Sequence, residues 1–336
     1  MLKKNDKKLS VAPMMDWTDR HCRYFHRVMS KRTRLYTEMV TAQAVVHGER
    51  AHLLRFDPSE HPVALQIGGS DPDLLARAVV IACDAGFDEI NLNVGCPSDR
   101  VQSGSFGAVL MESPALVAKC AAAMINASDG AEITVKCRVG VDHQNPAEIL
   151  PEFLETVSAA GVASFAIHAR KAWLHGISPK DNREIPPLDH KLVLAMKAAF
   201  PELEIVINGG ITSLDQAQEF LGDGLDGVMI GRAAYHDPAS VLLDADRVVF
   251  GDDRVLSREA VVEGMLPYIA RHLAGGGRLG HVTRHMLGLF CGLPGAKAWR
   301  RTLSESAHLP DAGTEHVMLA LDAVAEVRAM DPARDQ

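Results

Sequence analysis

The chain has 336 residues, 47% hydrophobic and 23% charged, with 35 lysines and arginines against 43 aspartates and glutamates, a net charge of −8. No run approaches the ~20 apolar residues of a membrane span, and the polar, basic segment 1–8 leads into no apolar stretch of the kind a signal peptide carries. The six cysteines (Cys22, Cys83, Cys96, Cys120, Cys137 and Cys291) form no CxxC pair. That excludes a disulfide framework, a zinc ribbon or an iron–sulfur cluster, leaves no metal site in view, and fits a reducing cytoplasm. The acidic balance counts against nucleic acid, whose binding rests on lysine and arginine, so such a partner must be held by a local basic patch.

Short β-like runs are predicted at 9–14, 35–39, 63–67, 89–93, 133–138, 165–168, 205–208 and 227–230. Amphipathic helical stretches fall between them at 72–85, 114–127, 147–160, 188–199 and 214–221. Strand alternating with helix implies a parallel sheet with right-handed crossovers. Eight units in about 230 residues predict a closed α/β barrel, a (β/α)8 TIM barrel. A doubly wound sheet is the alternative, but no GxGxxG follows an early strand. After Gly231 only helices are predicted, at 256–273, 283–289 and 316–330, with Gly275, Gly276 and Gly277 as a loop. The reading is therefore a barrel domain over 1–245 followed by a small all-helical domain over 246–336.

In a parallel barrel, functional residues gather at the C-terminal ends of the strands, and these ends are polar throughout. Run one leads into Pro13, Met14 and Met15, run two carries Glu38, and run three carries Gln66. In run four Ile90, Leu92 and Val94 alternate with Asn91 and Asn93, the period of a strand. Gly95 and Pro97 then break the strand and hold Cys96 at its mouth. A thiol placed there can act as acid or nucleophile, whereas the plain reading of a cysteine is a small core residue. Run five carries Lys136 and Arg138, and run six ends at His168.

Runs seven and eight end in Asn208, Gly209, Gly210 and in Gly231, Arg232. Glycines let backbone N–H groups approach phosphate oxygens, an arginine adds a charge-assisted partner, and this is the usual phosphate position in such barrels. A phosphate there implies a cofactor across the mouth. Pro13, Met14 and Met15 offer a flat apolar floor, Gln66 offers donor and acceptor to a ring edge, and Lys136 offers a cation to a ring that gains negative charge. Together they point to flavin mononucleotide (FMN). For Lys136 two other readings stand: an ion pair with Glu38 inside the barrel, or a Schiff-base lysine as in barrel aldolases.

The motifs Ala12-Pro13-Met14-Met15-Asp16-Trp17-Thr18-Asp19, Asn91-Leu92-Asn93-Val94-Gly95-Cys96-Pro97-Ser98 and Val135-Lys136-Cys137-Arg138 resemble the signatures of tRNA-dihydrouridine synthases. The stretches 171–188 and 294–301 resemble the bacterial A-type branch, and the likeness covers nearly the whole chain. It implies reduction of the 5,6 double bond of uridine in the D-loop of tRNA, at positions 20 and 20a, with NADPH reducing the bound FMN. A hydride then reaches C6 of the uracil, and Cys96 protonates C5 as general acid. The flavin would be held by Pro13, Met14, Met15, Gln66, Lys136, His168, 208–210, Gly231 and Arg232, with His168 near its phosphate, and Asn93 would bind the uracil. A base must leave the stack to reach a barrel mouth, so the RNA has to be gripped. Lys180 and Arg183 in one segment, and Lys297, Arg300 and Arg301 in the other with Trp299 among them, are the candidate cations; singly, each reads as a solvated surface charge. No membrane and no obligate protein partner are implied. Two other readings remain: an FMN barrel acting on a free pyrimidine, like dihydroorotate dehydrogenase, and a non-catalytic RNA-binding barrel.

Overall fold

The computed structural model of the chain describes residues 7–98 and 106–330. Most of the basic segment 1–8 and the last six residues of the predicted helical domain lie outside the described residues.

All eight predicted strands form. They are β1 (Leu9–Val11), β2 (Arg34–Tyr36), β4 (Val63–Gly68), β5 (Glu89–Val94), β6 (Glu132–Arg138), β7 (Ser164–His168), β8 (Glu204–Asn208) and β9 (Gly227–Ile230). An unpredicted two-residue strand, β3 (Val40–Thr41), lies on the end of β4. Every pairing is parallel; β1 joins β2 to β9, β2 joins β4, and β4 to β9 follow in order, so eight strands close into a barrel. The first two strands end earlier than predicted. Pro13 has no N–H for the ladder, and the Met14 amide donates instead to Thr18 Oγ1 at 2.9 Å, turning the chain out of the sheet. Run two stops at Tyr36, so Glu38 sits beyond the strand.

The period-2 pattern of the strands sorts their residues by face. On β5, Ile90, Leu92 and Val94 belong to the main core between sheet and helices, while Glu89, Asn91 and Asn93 point into the barrel and are buried there. A second, small apolar cluster, of Ala12, Tyr36, Ala64, Ala166, Val206 and Met229, is separate from that main core. The barrel helices start where their caps dictate. Asp71 accepts from the Leu74 amide ahead of Pro72–Asp84, Asn145 from the Ala147 amide ahead of Pro146–Ser158, and Ser213 from the Gln216 amide ahead of Leu214–Gly222.

Beyond the barrel the chain is helical: Arg258–Ala274, Leu279–Thr283, Ala296–Ser306 and Thr314–Met330. The helix predicted at 283–289 is displaced. Regular helix ends at Thr283, and a Cβ on Gly288 would stand 2.4 Å from the carbonyl oxygen of His236, a close approach made through irregular turns. Ala296–Ser306, not predicted as a helix, packs along Thr314–Met330. Trp299 is fully buried, donates through Nε1 to the Met286 carbonyl at 2.9 Å and meets Phe290 edge-on. It is a core anchor of the helical region, not a surface aromatic placed among the cations.

The helical region docks on the barrel helix Arg20–Met29. Tyr268 stacks on Tyr24 with centroids 4.0 Å apart, and its hydroxyl lies 2.8 Å from His21 Nδ1. Asp19, the cap of that helix, receives Arg284 at 2.5 Å and His285 at 3.1 Å. Burial alone would raise the Asp19 carboxyl, but His285 and Arg284 hold it well below the usual carboxylate range.

Candidate active site

A cavity of about 560 Å³ opens at the C-terminal ends of the strands. Each residue predicted to hold a flavin lines it: Pro13, Met14 and Met15 after β1, Gln66 on β4, Lys136 on β6, His168 on β7, the 208–210 turn, and Gly231 with Arg232. Cys96, Asn93 and Arg183 line the same wall. Lys180 is exposed outside the cavity, and Lys297, Arg300 and Arg301 are exposed on their helix and line neither cavity described here. Of these five cations, Arg183 alone lines either cavity.

The loop carrying Cys96 is held from two sides. Asn93 Oδ1 accepts the Gly95 amide at 3.1 Å and the Cys96 amide at 3.0 Å. Arg138 donates through Nε to the Gly95 carbonyl at 2.8 Å and through Nη1 to the carbonyls of Lys171 at 2.9 Å and Asn182 at 3.2 Å. Arg138 therefore ties the Cys96 loop to the loop after β7 that carries Arg183. The sequence marked Arg138 only as a polar strand end. Its inward direction could be read from its place two residues after Lys136, but its partners could not. The Cys96 thiol has Ser98 Oγ 3.5 Å away.

Lys136 reaches the cavity with no carboxylate partner among the described residues, and Glu38 instead accepts the Asp16 amide at 2.6 Å. The Lys136–Glu38 ion pair is therefore absent. Burial, reinforced by the neighbouring Arg138 guanidinium, pulls the Lys136 ammonium down to about 8. His168 is pushed well below its ordinary range by burial and by Arg138 and Lys136, so its ring is neutral. Gln66 accepts from Asn93 Nδ2 and donates to Asn91 Oδ1, both at 2.8 Å.

At the ends of β8 and β9 the backbone leaves room beside the cavity. Gly209 and Gly210 have φ of +110° and +74°, and a Cβ on Gly209 would stand 2.8 Å from the His168 ring. Asn208 donates through its side-chain Nδ2 to the Met229 carbonyl at 2.8 Å, fixing the two strand ends together. Arg232 is held outward by Glu184 at 2.7 Å, an exposed pair, and such pairs are weak. A ring-and-phosphate group fits this donor set: an uncompensated lysine, a neutral imidazole and two glycine turns facing one opening.

A second cavity of about 1070 Å³ adjoins the first, sharing Met15, Asp16 and Met39, and runs between the barrel and the helical region. Arg20, Arg55, Arg271 and Arg284 line it with His21, His52, His272 and His281. Asp19, Asp57 and Glu60 lie among them, with Asp57 3.6 Å from Arg271. Sequence reading missed this groove, because its two walls are more than 200 residues apart and meet only through tertiary packing.

Residues 10–325 match the family model described as Dihydrouridine synthase. The tRNA-dihydrouridine(20/20a) synthase of Shewanella oneidensis is 58% identical over 320 residues, 95% of this chain and 94% of that protein. The proteins of the same name from Vibrio cholerae and Salmonella typhimurium are 56% and 54% identical, covering 94% and 96% of this chain and 95% and 96% of their own lengths. Among solved structures, an old yellow enzyme homologue from Zymomonas mobilis matches with a TM-score of 0.51 at 12% identity, over 76% of this chain and 92% of that one. That likeness is one of fold.

Proposed function

Because the chain belongs to the dihydrouridine synthase family, we propose that it reduces the 5,6 double bond of uridine in the D-loop of tRNA. The relatives' names give positions 20 and 20a, and we assign FMN as the resident cofactor and NADPH as the reductant. The observation that carries this reading is Cys96: a thiol on the wall of the cavity into which Lys136, His168 and the glycine ends of β8 and β9 also open.

When bound, a flavin supplies the hydride that C6 of the uracil accepts. The chain's own residues do the rest. Cys96 donates a proton from Sγ to C5, and Asn93 and Arg138 keep the thiol's loop in place while it does so. Lys136, with no carboxylate partner among the described residues, is left to meet negative charge on the cofactor, and Gln66 and Asn93 each keep an amide hydrogen for a ring edge. Gly209, Gly210, Gly231 and Arg232 would receive the phosphate, Arg232 by turning from its exposed partner Glu184. Pro13, Met14 and Met15 would form the floor.

We divide the protein into a catalytic unit over 1–245 and an RNA-binding unit over 246–336. Lys180 and Arg183 on the first and Lys297, Arg300 and Arg301 on the second are its assigned phosphate contacts. The purified protein should be yellow, be bleached by NADPH, and be reoxidised by unmodified tRNA transcript but not by free uridine. A colourless protein that takes up no flavin would overturn the flavin assignment, and reoxidation by free uridine as fast as by transcript would favour the free-pyrimidine reading.

A further inference from the structure

The lumen of the barrel holds a line of side chains whose direction is determined at both ends. At the upper end the Gly95 and Cys96 amides can only donate, so Asn93 must present Oδ1 to them. Its Nδ2 then faces Gln66 Oε1 at 2.8 Å, which leaves Gln66 Nε2 facing Asn91 Oδ1 at 2.8 Å, and Asn91 Nδ2 facing Thr134 Oγ1 at 2.8 Å. At the lower end Glu89 accepts from Tyr36 at 2.6 Å and Arg34 at 2.8 Å, so it is an acceptor, and the Thr134 hydroxyl donates to it at 2.5 Å. The two ends demand the same sense. Every link donates downward, from the Cys96 amide to a carboxylate on the far side of the lumen. Hydrogen bonds aligned head to tail polarise one another, and each amide here has only one orientation that satisfies its neighbours.

We infer that Thr134 and Glu89, neither of which reaches the cavity, are positioning residues for Cys96, acting through Asn91, Gln66 and Asn93. The inference rests on the proposed role of Cys96 as proton donor. Thr134→Val keeps the shape of the side chain but gives Asn91 no acceptor and Glu89 no donor from the chain. Asn91 and Gln66 can then turn over, and Asn93 loses the acceptor that holds its Nδ2, and with it the rigid hold of its oxygen on the Cys96 loop. Tyr36→Phe removes a different donor from the same buried carboxylate and leaves the chain whole.

The test measures two half-reactions on flavin-loaded protein, reduction by NADPH and reoxidation by unmodified tRNA transcript. It adds a third readout, the rate at which iodoacetamide alkylates Cys96, with Cys83 and Cys291 as internal references. T134V should slow tRNA-dependent reoxidation about ten- to a hundredfold more than it slows NADPH reduction, the range expected for a misplacement of about 1 Å, and speed alkylation of Cys96 alone. Thr134→Ser should restore both, and Tyr36→Phe should move neither. Should T134V not fold, Thr134→Ala takes its place. Wild-type alkylation and reoxidation in T134V would overturn the inference. So would equal effects of T134V and Tyr36→Phe, or no rescue by serine. A wild-type enzyme that no tRNA reoxidises would instead sink the proposed function, while alkylation would still decide the positioning role.

Discussion

Lys136 is a cation at the cavity wall with no counter-charge among the described residues, and its pH behaviour follows from that. Its ammonium is drawn down to about 8, from 10.5 for an exposed lysine. Below pH 8 both folded and unfolded chains hold the proton, and the flavin-free protein bears the full cost of a buried charge. Between 8 and 10.5 the folded state has lost the proton while the unfolded state keeps it, so stability rises with pH. The flavin-free Lys136→Met variant lacks this dependence. It should be more stable than wild type at pH 7, with the difference shrinking by about 1.4 kcal/mol per pH unit across that window. Urea titrations of the two flavin-free proteins at pH 7, 9 and 10.5 measure it. A constant difference would show that an unseen anion compensates Lys136. Cys96 is read in activity instead: Cys96→Ala should keep flavin and its reduction by NADPH, and lose about a hundred- to ten-thousandfold of uridine reduction. Wild-type reduction of tRNA by that variant would remove the acid assignment.

At the scale of elements, the turn after β8 carries the sharpest requirement. Gly209 at φ +110° has a conformation that L side chains rarely adopt, and its missing Cβ is where the His168 ring lies. Gly209→Ala should therefore both strain the turn and displace His168. The expected result is loss of bound flavin on gel filtration, while thermal stability falls by the few degrees of about 1 kcal/mol. Full flavin retention would move the phosphate elsewhere. This turn was legible in the sequence, as were all eight strands, because polar residues at strand ends and glycine pairs are local signals. Lys136 and His168 were legible for the same reason. The chain from Cys96 to Glu89 was not. It depends on the register that sets Asn91 beside Gln66 on one strand and beside Thr134 on another, and register between strands is a property of the closed barrel. The helix predicted at 283–289 failed similarly: its apolar spacing was real, but Gly288 is committed to the barrel backbone at His236. Trp299 stood in the sequence among cations, and its indole serves the helical core.

At the scale of the whole molecule, the net charge of −8 has to be reconciled with a polyanionic substrate. Long-range attraction is poor for such a pair, so binding must come from short-range contacts that displace counterions. Two surfaces compete for that role. Lys297, Arg300 and Arg301 are exposed at helical spacing on one face, and among the described residues no carboxylate pairs with them. The groove between barrel and helical region adjoins the catalytic cavity, but its arginines are partly neutralised: Arg271 lies near Asp57, and Arg284 is bound to Asp19. Free cations release more counterions per contact than paired ones, so the helix face should dominate the salt dependence. Arg300→Ala with Arg301→Ala should make the slope of log affinity against log salt shallower by roughly 1.5, the value for two lost phosphate contacts. It should also raise the apparent KM for tRNA, with flavin reduction by NADPH unchanged. Arg271→Ala with Arg284→Ala, the paired arginines of the groove, should change the slope less. If the groove pair flattens the slope and the helix pair leaves it at the wild-type value, the RNA lies between the domains, and the cations on Ala296–Ser306 are solvated surface charges.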